Sequence, residues 1–129
     1  MSRTLLFVFL LINSCASFAE DERYFGGDYR KLLIQKTAVD LMMLNRIRSR
    51  IVERGETLDL VDTMMQTQIT YLLIEKDTWL NHPELSREVT AAVKGSAREW
   101  QRSAPSKYLN KGSMDFAESI CKCSLPKNE

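Results

Sequence analysis

Glycine and proline are scarce, at 5 and 3 residues in a chain of 129, which excludes a collagen-like or low-complexity chain. Charge of one sign is scarce too: Lys+Arg 18 stands against Asp+Glu 17. That balance removes the broad basic surface on which non-specific nucleic-acid binding draws. No uncharged apolar run approaches the ~20 residues that a membrane-spanning helix needs, so no transmembrane segment is expected. A glycine-rich phosphate loop, a G-x-S-x-G elbow, an H-E-x-x-H pair and paired-cysteine zinc spacing are all missing. So is any Asn-x-Ser/Thr acceptor. Missing motifs do not exclude an enzyme, but they leave no catalytic chemistry, cofactor or metal to name.

What is present begins with an address. Met1-Ser2-Arg3 is a short basic start, Thr4 to Ile12 is apolar apart from Thr4, and Ser17-Phe18-Ala19 closes a small, polar stretch. This is the pattern of a secretory signal peptide over residues 1–19, with cleavage expected after Ala19. Export to a bacterial periplasm follows as an expectation. Ile12-Asn13-Ser14-Cys15 also resembles a lipobox, although Asn13 fits it poorly, and lipidation at Cys15 would instead anchor the protein to a membrane. Removing residues 1–19 takes away one Arg, no acid and one Cys, leaving 17 basic residues, 17 acidic residues and the pair Cys121 and Cys123.

The rest reads as helix. Residues 20–27 form a charged leader with Tyr24, Phe25, Gly26 and Gly27, and residues 28–124 a single domain before a tail of 125–129. Asp28 suits an N-cap and Gly55 a left-handed position after the helix end. At about 100° per residue, Leu33, Met43, Leu44, Ile47 and Ile51 share one face. Leu32, Ile34, Val39, Leu41, Met42 and Val52 spread apolar surface around the rest, more than one inward contact needs. A second helix, capped by Thr57, is predicted to run to Asp77 or Leu80 with Leu58, Val61, Met64, Met65, Tyr71, Leu72 and Trp79 inward and Asp59, Asp62, Gln66 and Thr70 outward. The short link between the two implies antiparallel packing. Pro83 suits the first position of a third helix. Its stripe is Leu85, Val89, Ala92, Val93, Ser96 and Trp100, the small residues allowing close approach to a neighbour. Ser113 is the expected cap of a short fourth helix bearing Met114, Phe116, Ala117 and Ile120. No strand alternation and no repeat appear. The fold class is an all-α antiparallel bundle of three long helices and one short one, with about 110 residues sufficing for a core without compulsory crosslinks.

A few residues break the pattern. Asp40 falls within the best apolar face of the first helix, and Gln68 and Glu75 within that of the second. They would form a buried polar cluster, a register-fixing pair, or, if the first helix is rotated, nothing buried at all. A hydrolytic or lyase-type role would need Asp40 and Glu75 in one cleft. Cys121-Lys122-Cys123 could be a structural bridge or a strained, reducible one suited to thiol–disulfide exchange, and two thiolates alone fall short of a zinc set. His82 reads as a helix-start residue. Arg46, Arg50 and Arg54 form a cationic row at four-residue spacing, either docking an anionic partner or paired with Glu53, Asp59 and Asp62. Met42-Met43 and Met64-Met65 point their side chains about 100° apart, which suits core filling better than copper ligation. The expected function is that of a small exported binding or accessory protein, with a protein partner or self-association through helix faces. A thiol–disulfide or metal-handling protein is the alternative.

Overall fold

The computed structural model describes residues 28–127. The signal segment 1–19, cleavage after Ala19, Cys15 and the leader 20–27 lie outside the described residues, as do 128 and 129. Regular structure among the described residues is entirely helical: α1 Tyr29–Arg54, α2 Asp59–Ile74, α3 Lys76–Leu80, α4 Pro83–Arg102 and α5 Lys111–Cys121. The chain divides at Leu33/Ile34 into two compact units. The described part of the first is the opening of α1, where Asp28 Oδ1 accepts the Arg30 and Lys31 N–H groups at 3.0 and 3.3 Å, satisfying donors that a helix start leaves unpaired.

The second unit is an all-α bundle. Gly55, at φ +69°, lets the chain leave α1 in the left-handed region, and the Gly55 and Glu56 N–H groups fold back onto the Val52 and Ile51 carbonyls. Thr57 Oγ1 accepts the Asp59 N–H at 3.4 Å, but the N-cap of α2 is Leu58, which offers no side-chain cap, rather than Thr57. α2 stops at Ile74, shorter than the predicted helix. The Trp79 indole N–H donates to the Leu72 carbonyl at 2.7 Å, competing for an acceptor that an unbroken helix would give to Lys76. The chain restarts as the single turn α3, which buries Trp79 completely.

α4 begins as its sequence predicts. His82 is the N-cap, its Nδ1 accepting the Leu85 N–H at 3.3 Å, and Pro83 occupies the first turn, where no N–H is needed. All of Leu85, Val89, Ala92, Val93, Ser96 and Trp100 are buried, so this narrow stripe is the spine of the core. The cap of α5 is Asn110 rather than Ser113: the Asn110 side chain accepts the Ser113 N–H at 2.8 Å, while Ser113 itself is buried. α5 packs against α4 and α2, with Phe116 tilted against Trp79 at 6.4 Å between ring centroids. After α5 the chain turns through Lys122, at φ 55°, and Leu125 is buried with its N–H on Glu118 Oε1 at 3.0 Å.

α1 is rotated from the predicted face. Ile34, Ala38, Leu41, Leu44, Asn45 and Arg48 are buried, whereas Met43 and Ile47 are exposed. Apolar side chains nearly surround this helix, so hydrophobicity alone does not choose its inner face. Polar partners do. No helix among the described residues is long and apolar enough to cross a membrane.

Candidate functional site

Two polar centres fix the orientation of α1. The first joins Arg48 to Asp62, both with fully buried side chains. Arg48 Nε and Nη2 donate to Asp62 Oδ1 and Oδ2 at 2.6 and 3.3 Å, the forked geometry that a guanidinium makes with a carboxylate. Nη1 donates to the Glu99 carbonyl at 2.8 Å, and Nη2 also reaches the Ser103 and Ala104 carbonyls at 3.0 and 3.3 Å. Asp62 accepts in addition from Trp100 Nε1 at 3.2 Å and from the Ser106 N–H at 2.8 Å. Both oxygens are therefore doubly engaged. The expectation that Asp62 faces outward is corrected: it lies inward because Arg48, Trp100 and Ser106 supply what water would have supplied. A carboxylate so saturated and enclosed has no lone pair to offer a substrate, and the centre is structural.

The second centre lies two turns away on α4. The Asn45 side-chain amide donates to the Ala92 carbonyl at 3.0 Å and accepts from the Ser96 hydroxyl at 2.7 Å. A Cβ at Gly95 would sit 2.7 Å from Asn45 Nδ2, so α1 and α4 meet where α4 has no side chain. The close approach predicted at Ala92 and Ser96 occurs here, with Gly95 between them.

With these polar groups inward, the opposite side of α1 faces solvent. Val39, Met43 and Ile47 are 48%, 55% and 46% exposed, and Leu60 and Met64 of α2 are 72% and 46% exposed. Asp40, Met43, Leu44 and Ile47 of α1 and Met64 and Gln68 of α2 line a shallow groove of about 210 Å³. A neighbouring hollow of about 210 Å³ is lined by Met43, Arg46, Ile47 and Arg50. The apolar surplus of α1 therefore exists, at Val39 as expected and otherwise on other residues: Leu32, Ile34 and Leu41 are fully buried, and Met42 and Val52 are half-buried.

The expected buried cluster does not form. Asp40 is exposed and Gln68 half-buried in the groove they share. Glu75 lies elsewhere, its Oε2 accepting from the Thr78 hydroxyl at 3.3 Å, so Asp40 and Glu75 do not line one cleft. Arg46, Arg50 and Arg54 are all exposed. Their anticipated pairing with Glu53, Asp59 and Asp62 is absent among the described residues, and Asp62 is taken by Arg48. Each methionine doublet is split between inside and outside: Met65 is buried and Met42 half-buried, whereas Met43 and Met64 meet in the groove. Cys121 and Cys123 are half-buried, with their sulfurs at disulfide distance and their Cα atoms 5.3 Å apart. His82 serves its helix as a cap. Among the described residues, no group of three or more His, Cys, Asp or Glu side chains is placed to hold a metal ion.

The residues that sequence reasoning passed over are Arg48 and Asn45. Their signal was phase: Arg48 follows Leu41 by seven residues and Leu44 by four, continuing the buried stripe. The chain matches no family model, no curated protein and no solved structure.

Proposed function

We propose that this protein is a binding module whose working surface is the outer face of α1 together with the adjoining side of α2. The carrying observation is that half-exposed Met43 and Ile47 share a groove with half-exposed Met64 of α2, with exposed Val39 one turn before Met43 and exposed Leu60 one turn before Met64. A contiguous apolar patch rimmed by charges marks an interaction surface more often than a solvated one. Covering it recovers roughly 25 cal/mol per Å² of apolar area, less the cost of immobilising the partner. The leader expected over residues 1–19 sets the module outside the cytoplasm, in a periplasm or tethered through Cys15.

A photo-crosslinking residue at Ile47, with a control at the exposed Lys94 of α4, tests this in cells exporting the native protein. A discrete adduct at 47 and none at 94 is the expected result. Adducts at neither position, or equally at both, would sink the reading. The thiol–disulfide alternative predicts that Cys121→Ser/Cys123→Ser abolishes the adduct. The binding-module reading predicts that this variant retains it.

A further inference from the structure

We infer that the occupant of the α1–α2 face is an acidic amphipathic helix of a partner protein; this rests on the binding-module reading and specifies its ligand. Three features of the face select it. The apolar floor is a groove between two helices rather than a flat patch, and a groove of that kind receives one helix through side chains at i, i+3 and i+4 spacing. Along α1 the outward seam is Lys36, Asp40, Met43, Ile47, Arg50 and Arg54, whose four-three spacing is that of a coiled-coil contact line. The middle of that seam is apolar, and its C-terminal part is cationic.

Charge then decides among occupants. Arg46, Arg50 and Arg54 are exposed and have no ion pair among the described residues. The only exposed acid in the seam is Asp40. A second copy packed antiparallel about position 45 would set Asp40 against Arg50 and Met43 against Ile47, but also Arg54 against Lys36, and it would bring no acid opposite Arg46. A parallel copy would oppose every cation to itself. Self-association therefore either opposes like charges along the seam, when parallel, or matches only Arg50 among the three arginines with an acid, when antiparallel, whereas a partner helix carrying several Asp or Glu residues meets more of them. A bilayer surface suits the arginines but not the groove: Asp40 and Gln68 stand in its lining, and a carboxylate pressed towards lipid headgroups is unfavourable. The same Asp40 gives the partner a direction. It stands ten residues before Arg50, about 15 Å along the helix, so the ligand pairs an acidic end with a basic or amide residue about that far away.

A display library of helical peptides, with apolar heptad positions fixed and flanking positions randomised, reads this out directly. Selection on the purified protein is expected to enrich Asp and Glu in one half of the peptide. Selection on Arg46→Glu/Arg50→Glu/Arg54→Glu is expected to replace them with Lys and Arg. Affinity of a wild-type-selected peptide should fall about tenfold or more in that triple variant, and should be lost in Met43→Glu. Circular dichroism melts of both variants verify that they fold. Recovery of no peptides, or of peptides without acidic bias, overturns the inference. So does concentration-dependent dimerisation in sedimentation equilibrium that Met43→Glu abolishes. Binding to phosphatidylglycerol vesicles lost in the same variant overturns it equally. A discrete adduct at Ile47 combined with unbiased peptides would refute the acidic helix and leave the binding surface standing.

Discussion

Arg48 and Arg50 stand two residues apart on one helix in opposite surroundings. Arg48 is fully buried, with all three of its nitrogens engaged. Arg50, with Arg46 and Arg54, is exposed and lies beside uncovered apolar side chains. The difference comes from what stands opposite. Asp62 and the carbonyls at the end of α4 offset the cost of withdrawing one guanidinium from water, and among the described residues nothing comparable stands opposite the other three. One half of the helix surface is thus closed within the fold, and the other half is exposed.

The largest effect should come from breaking the closed half. Arg48→Met or Asp62→Ala leaves the other charge buried and unpaired, and should cost about 3–5 kcal/mol in urea denaturation. The double variant Arg48→Met/Asp62→Leu should cost less than either single one, because no charge is then stranded. Fully additive losses would mean that the two side chains do not act as a unit.

The neutral centre on the same face should be next. Gly95→Ala crowds an Asn45 amide fixed on both sides, for an expected loss of about 1–3 kcal/mol. In an Asn45→Ala background the same change should instead stabilise, approaching the ~1 kcal/mol that alanine gains over glycine in a helix. A loss of equal size in both backgrounds would show that the contact does not set the distance between α1 and α4.

The cysteine pair at the end of α5, its sulfurs at disulfide distance, sharpens the contrast between local and long-range constraints. Cys121→Ser/Cys123→Ser opens a loop of only three residues, so the chain-entropy model allows about 1–2 kcal/mol. Thermal melts with and without reductant measure it, and a loss as large as that at Arg48 would make the bridge a principal constraint.

Smallest of all should be the exposed row. Arg46→Ala, Arg50→Ala and Arg54→Ala should each change stability by less than about 0.5 kcal/mol, with slight gains where like charges are relieved. A loss above 1 kcal/mol at any of them would place that side chain in the folded interior's support rather than on a working surface.

Much of the architecture is legible in the sequence. α4 was legible because its apolar residues are few and strictly in phase, and because His82-Pro83 can start a helix and do little else. Gly55 was legible for a similar reason: a left-handed exit favours one residue type. α1 was not, since apolar side chains on nearly every side leave its phase to be set by Asn45 and Arg48, whose partners lie on other helices. The Arg48–Asp62 pair spans 14 residues across a turn, beyond the reach of any local pattern, and each charge taken alone signals solvent. The end of α2 was hidden likewise, because the indole that competes for the Leu72 carbonyl arrives seven residues later. Of the expected site, the cationic row lies on the surface as read, and Asp40 and Gln68 meet, but in an open groove.

The Asp62 carboxylate has a consequence for how the chain folds. Its hydrogen bonds come from three residues on two stretches far apart in sequence: Arg48 in α1, and Trp100 at the end of α4 with Ser106 in the loop beyond. A half-assembled chain that docks only two of these shields the charge from water before its bonds are complete, which places such a state uphill of both the unfolded and the finished protein. The carboxylate thereby penalises partial structures and favours a cooperative transition. The Ser106 amide, although it sits in a loop, should exchange its hydrogen as slowly as amides in the middle of α4, because releasing it means releasing the whole bundle.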